Sequence, residues 1–119
     1  MAIKDKLTEE FLEGLEEIKK LLLILLFKQI SFDKKGGAYF VKFEKGKTIV
    51  EFLFGPSDWN VEMIIYTSKG KLAFKDLLEI PAITKWVNDN RYKQGDGRNV
   101  KNELLWFVEL LKTSLPIIE

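Results

Sequence analysis

Thiol and imidazole are both missing from this chain of 119 residues, which has no cysteine and no histidine. Without them the commonest general base, the Ser-His and Cys-His nucleophile pairs and the usual zinc and copper ligands have no side chains to be built from. No Walker loop and no G-x-G-x-x-G opening a helix after a strand is present, so nucleotide-binding fingerprints are missing as well. What remains is carboxylate chemistry or none. The sequence therefore predicts a non-enzymatic protein with no metal site and no cofactor. Absence of disulfides fits a reducing compartment, and cytoplasm is the expected location.

Long apolar runs are also lacking. The longest is Leu21 to Phe27, against the roughly 20 residues that a membrane-spanning helix needs. These residues surround the helix axis, so they read as an enclosed helix end, and no membrane partner is expected. The opening segment MAIKDKLTEEF places acids where a signal peptide carries positive charge and an apolar run, so no export signal is readable.

What is present is material for one core. Apolar residues make up 46% of the chain, with nine Phe and three Trp, and domains cluster at roughly 100 to 150 residues. Residues 1–119 are read as a single domain. Net charge is +1, but the ends are acidic and the middle basic, which bears on surfaces rather than on fold.

From Leu7, the residues Leu7, Phe11, Leu15, Ile18, Leu22 and Leu26 recur at helical spacing, predicting a helix near 8–27. Glutamates at 9, 10, 13, 16 and 17 lie opposite this stripe. After a Lys-Lys-Gly-Gly break at 34–37 the period becomes two, and strands begin. Gly46-Lys47 has the form of a type II′ hairpin, pairing Lys45 with Thr48, Phe43 with Val50, Val41 with Phe52 and Tyr39 with Phe54. A four-residue turn at 55–58 would pair Phe54 with Trp59, Phe52 with Val61 and Val50 with Met63. A Lys69-Gly70 turn would pair Thr67 with Leu72 and Ile65 with Phe74. These registers put the large apolar residues on one face, as a buried sheet face requires.

Asp76 followed by Glu79 resembles a capping box opening a short helix, and Pro81 suits the first turn of another running to about Asn90. Residues 91–98 read as a loop. Asn99 caps a last helix with Val100, Leu104, Phe107 or Val108, and Leu111 in its buried stripe, ended by Pro116. The predicted fold is α+β: an N-terminal helix, a four-stranded antiparallel β-meander, then two or three C-terminal helices. In this layout alone the chain resembles small bacterial interaction proteins such as toxin-immunity proteins and secretion chaperones. That likeness implies a protein-binding role and is carried by no motif.

Three surfaces carry candidate sites. On the outer sheet face the register sets Glu51 opposite Glu62, with Lys42 on the other side of Glu51. Like charges opposite each other destabilise a sheet unless compensated. Phe40, Ile49, Leu53, Ile64 and Tyr66 share that face, which is too apolar for a plainly solvated surface. Phe40, Lys42, Glu51, Leu53, Glu62, Ile64 and Tyr66 are thus candidate contacts for another protein, a basic one or a second copy of the chain. Glu13 and Glu17 offer a second, acidic surface for a cationic partner. The alternative is a nucleic-acid or phosphorylated-ligand site built from Arg91, Tyr92, Lys93 and Arg98 ahead of the last helix. A pI near 7.8 argues against strong nucleic-acid binding.

Overall fold

The computed structural model describes residues 3–55, 60–94 and 99–119, with side chains over 6–55, 60–91 and 99–119. Its elements are α1 (Ile3–Ile24), β1 (Lys28–Lys35), β2 (Ala38–Lys45), β3 (Thr48–Phe54), β4 (Val61–Thr67), β5 (Gly70–Leu72), α2 (Phe74–Leu77), α3 (Pro81–Gln94) and α4 (Val100–Ile118). The fold is α+β, with an antiparallel meander in the order β1-β2-β3-β4-β5.

The meander has five strands rather than four. The strand missing from the sequence reading is β1, an edge strand whose side chains are nearly all exposed, so no apolar alternation of any length marks it. Its signal was the turn itself. Gly36 and Gly37 both have positive φ, 59° and 85°, as a two-residue type I′ hairpin requires. A bulge between Gln29 and Ser31, with Lys28, Lys34 and Lys35 along the strand, discourages another chain from pairing onto this edge.

The β2–β3 register is the expected one, from Lys45 opposite Thr48 to Tyr39 opposite Phe54. Gly46 takes φ 59°, matching a type II′ turn. The next two registers are each displaced by two residues. Phe54 pairs with Val61, Phe52 with Met63 and Val50 with Ile65, so Val61 replaces Trp59 as the partner of Phe54. Trp59 and most of the intervening turn lie outside the described residues. Thr67 pairs with Gly70 and Ile65 with Leu72, because the two-residue turn is Ser68-Lys69. There the Thr67 hydroxyl accepts the Lys69 amide at 3.1 Å. Phe74 consequently leaves the sheet and opens α2, its ring 6.1 Å from those of Trp106 and Phe107. A shift of two preserves sidedness, so Val41, Phe43, Val50, Phe52, Phe54, Val61, Met63 and Ile65 still form one buried face.

On that inner face lie α1 and α4. Phe11, Leu15, Ile18 and Leu22 are the buried stripe of α1. The Phe11 ring stacks on Phe54 at 4.9 Å and lies 5.6 Å from Tyr39. The two helices meet closely at Gly14, where a Cβ would lie 2.8 Å from Leu104 Cδ1 and 3.2 Å from the Lys101 Cα. Lys101 Nζ bridges back to Glu17 Oε1 at 2.8 Å. Asn99 caps α4 as expected, its side chain accepting the Asn102 amide at 3.0 Å. This helix runs past Pro116 to Ile118. So close to the helix end proline forfeits little beyond the one bond its own nitrogen would donate, and Ile118 is buried in compensation. In α2 the cap is Ala73, with Asp76 at the third position accepting the Ala73 amide at 2.8 Å, so Asp76 closes the capping turn rather than opening it. Residues 91–94, expected as loop, continue α3.

The end of α1 differs most from expectation. Phe27 N–H donates to the Leu22 carbonyl at 2.8 Å and Leu26 N–H to the Leu23 carbonyl at 2.9 Å. These two bonds make a Schellman cap, completed by the buried pair Leu22 and Phe27. Leu26 occupies its left-handed position at φ 71°, the one non-glycine with positive φ among the described residues. A Cβ there costs about 1–2 kcal/mol. Leu23, Ile24 and Leu26 remain 61%, 77% and 74% exposed, so the apolar end is open. One stripe of α1 meets the sheet and one flank meets α4. No described element reaches the remaining sides.

Phe52→Ala should destabilise the protein by about 3–5 kcal/mol in chemical denaturation, the range for emptying an aromatic core site. Gly14→Ala separates packing from propensity. Alanine is the better helix former by about 1 kcal/mol, yet the missing space should make this variant less stable than wild type, by about 1–3 kcal/mol.

Candidate functional site: the open face of the sheet

Because the helices gather on one side, none of them covers the other face of the sheet among the described residues. The pleat and the pairing arrange the outward side chains in three rows across β2, β3 and β4. Phe40, Leu53 and Glu62 form one row, Lys42, Glu51 and Ile64 the next, and Glu44, Ile49 and Tyr66 the third. Phe40, Ile49, Leu53, Ile64 and Tyr66 are each half-buried by their neighbours alone. Lys71 continues the third row on β5, and Ser31 and Asp33 extend the first two onto β1 beside Lys42 and Phe40.

Glu51 sits at the centre of this grid and is 7% exposed. A carboxylate that deep on a face without a covering element is held by its neighbours. The Tyr66 hydroxyl, diagonal to it across β3 and β4, donates to Glu51 Oε1 at 3.0 Å. Lys42 lies directly opposite on β2. Burial, then the hydrogen bond to Glu51, then the nearby carboxylate charge raise the Tyr66 phenol above its ordinary value of 10.0. A raised phenol contributes stability that is intact below about pH 10 and is lost as pH rises through the folded value.

Of the expected contacts, Phe40, Lys42, Glu51, Leu53, Glu62, Ile64 and Tyr66 all lie on this one face. The Glu51–Glu62 pair does not form. With β4 displaced by two residues, Glu51 faces Ile64, and Glu62 faces Leu53 at the exposed edge of the grid. The two carboxylates are diagonal neighbours, so the like-charge repulsion inferred from the shorter turn is relieved. Its three central strands carry Glu44, Glu51 and Glu62 against Lys42, and the edge strands add Lys28, Asp33 and Lys71.

The other two surfaces are less assembled. Glu13 is exposed on α1, while Glu17 is engaged by Lys101, so this carboxylate joins α1 to α4. The bond to Glu17 is the main cause of the raised Lys101 ammonium. Arg91 is exposed on α3. The side chains of Tyr92 and Lys93, and all of Arg98, lie outside the described residues. At the start of α4 the Asn102 amide already donates to the Asn99 side chain and the Glu103 amide to the Asn99 carbonyl, and the Glu103 carboxylate, which accepts the Val61 amide at 3.3 Å, stands in the first turn. An anion would meet that carboxylate. Lys85, exposed earlier on α3, bridges Asp89 at 3.7 Å.

Among the described residues no three or more Asp, Glu, His or Cys gather as a metal-binding group, and no helix is long and apolar enough to cross a membrane. The chain is thus an α+β domain with a one-sided sheet. Comparison with protein-family models, curated proteins and solved structures finds no match for it.

Ultraviolet titration of the phenols should detect the arrangement. The ionisation lost in Tyr66→Phe should have a midpoint above 10, and Glu51→Gln should lower that midpoint while leaving it above 10, because burial persists without the charge. A Tyr66 midpoint unchanged by Glu51→Gln contradicts the contact.

Proposed function

We propose that the protein is a non-enzymatic protein-binding module whose outer sheet face receives a partner protein. The observation that carries this reading is the uncovered grid itself. Five large apolar side chains surround a carboxylate on a surface that the chain's own helices leave open. Contiguous apolar patches rimmed by polar groups are characteristic of interaction sites. Tyr66 supplies a ring with a polar end near the middle, the residue type that concentrates binding energy at interfaces.

The partner's chemistry follows from charge. On β2, β3 and β4 three carboxylates stand against Lys42, while the edge strands add Lys28 opposite Glu44, Lys71 opposite Tyr66 and Asp33 opposite Phe40; the acidic centre of the face favours a partner that brings Lys or Arg to it. Arg best matches Glu62, whose carboxylate is exposed and open to a bidentate contact. A second copy would place the same carboxylates against each other, so a different protein is the better fit. Immunity proteins and secretion chaperones remain an analogy of layout.

Capture from native lysate with wild type and Tyr66→Ala as parallel baits tests the reading. The partner should be retained by wild type and lost or weakened by about 2 kcal/mol or more with Tyr66→Ala. Glu62→Lys should slow association and reduce its salt dependence with little change in fold stability. A partner indifferent to both variants assigns binding to another surface.

A further inference from the structure

The exposed end of α1 carries a second inference, independent of the sheet face. Leucine at the left-handed cap position gives a poorer cap than glycine and, at 74% exposure, adds little to the core. Leu23 and Ile24 beside it are exposed to a similar degree. Three adjacent aliphatic residues thus protrude where fold stability gains little from them.

Their surroundings are defined by Lys45. Its Nζ lies 5.9 Å from the centre of the Phe27 ring and 3.8 Å from Glu119 Oε1. The end of α1, the β2–β3 turn and the end of α4 therefore meet at one end of the molecule. Lys20, Lys28 and Lys47 are exposed at the same end and make no ion pair among the described residues. Of the carboxylates nearby, Glu119 is engaged by Lys45 and by the Thr48 hydroxyl at 3.0 Å, and Glu44, half-buried on the outer sheet face, stands directly opposite Lys28 and offsets part of its charge. Glu16 and Glu17, one turn before Lys20 on α1, are engaged by Lys19 and Lys101.

We propose that this tip docks on the surface of an anionic lipid bilayer, with Leu23, Ile24 and Leu26 entering the boundary between headgroups and acyl chains. Lys20, Lys28 and Lys47 then face the anionic headgroups. Aliphatic residues flanked by lysines are the composition of interfacial anchors, which need no spanning helix. The absence of a spanning segment, on which the sequence expectation of no membrane partner rested, does not bear on surface docking. A second copy fits this tip poorly, since it would set lysines against lysines. A folded protein partner fits poorly too, because interface hot spots favour Trp, Tyr and Arg over leucine.

Co-sedimentation with phosphatidylcholine vesicles, with and without about a third phosphatidylserine, tests the proposal. Wild type should bind the mixed vesicles at least about tenfold more strongly than the neutral ones, and less at high salt. Ile24→Asp, and separately Lys20→Glu with Lys28→Glu, should each weaken binding by about tenfold or more. Leu26→Gly is the decisive variant, because it should lower vesicle binding while raising the melting temperature. Tyr66→Ala should bind vesicles as wild type does, which separates this site from the sheet face. Failure of wild type to sediment with the mixed vesicles overturns the proposal, as does wild-type binding by both Ile24→Asp and Leu26→Gly. A dimer in solution that Ile24→Asp converts to monomer assigns the tip to a second copy, and Ile24-dependent capture of an acidic protein without vesicle binding assigns it to that partner; either result overturns docking on lipid.

Discussion

The close crossing of α1 and α4 at Gly14 is the contact on which the rest of the arrangement depends. With a glycine there, two long helices lie side by side on one face of the sheet, so Phe11 can stack on Phe54 while the Glu103 carboxylate reaches the amide of Val61. The inner face is then buried along the length of β2, β3 and β4. Helices wide enough to cover that face from a single side leave none for the other. The open outer grid is therefore a geometric consequence of how the core is closed.

Two surfaces are open, and they differ in charge. The sheet face presents Glu44, Glu51 and Glu62 around aromatic and aliphatic side chains. The tip presents lysines around aliphatics alone. The chain thus carries two open surfaces of different charge despite a net charge of only +1. Glu51 shows how the face tolerates a carboxylate away from water: the Tyr66 hydroxyl supplies the donor, and Lys42 opposite offsets the charge. A buried charge without such neighbours would be costly.

Legibility in the sequence tracked the strength of each local constraint. The β2–β3 hairpin was readable to the residue because Gly46-Lys47 is a turn whose backbone demands a glycine. At β4–β5 the glycine with positive φ, Gly70 at 134°, follows the two-residue loop instead of lying within it, and for both later connections the inferred loop was two residues from the observed one. Apolar alternation could not correct this, since moving a strand by two residues returns every side chain to the same face. The membership of the candidate site was consequently right while its internal pairing was wrong, with Ile64 taking the place of Glu62 opposite Glu51. For β1 the failure was of another kind: an edge strand exposed on both faces has no buried side to impose a pattern.

The sequence by itself determined which residues are buried in the sheet, the α+β class, the Asn99 cap of the last helix and the lack of imidazole and thiol chemistry. Each of these follows from local periodicity or from composition, which act over a few residues at a time. Tertiary structure decided which surfaces stay open. Whether the outer face of a sheet or the last turn of a helix is covered depends on where distant segments pack. That choice was made by the fit of Gly14 against Lys101 and Leu104, nearly ninety residues further along the chain, and no periodicity records a contact of that range.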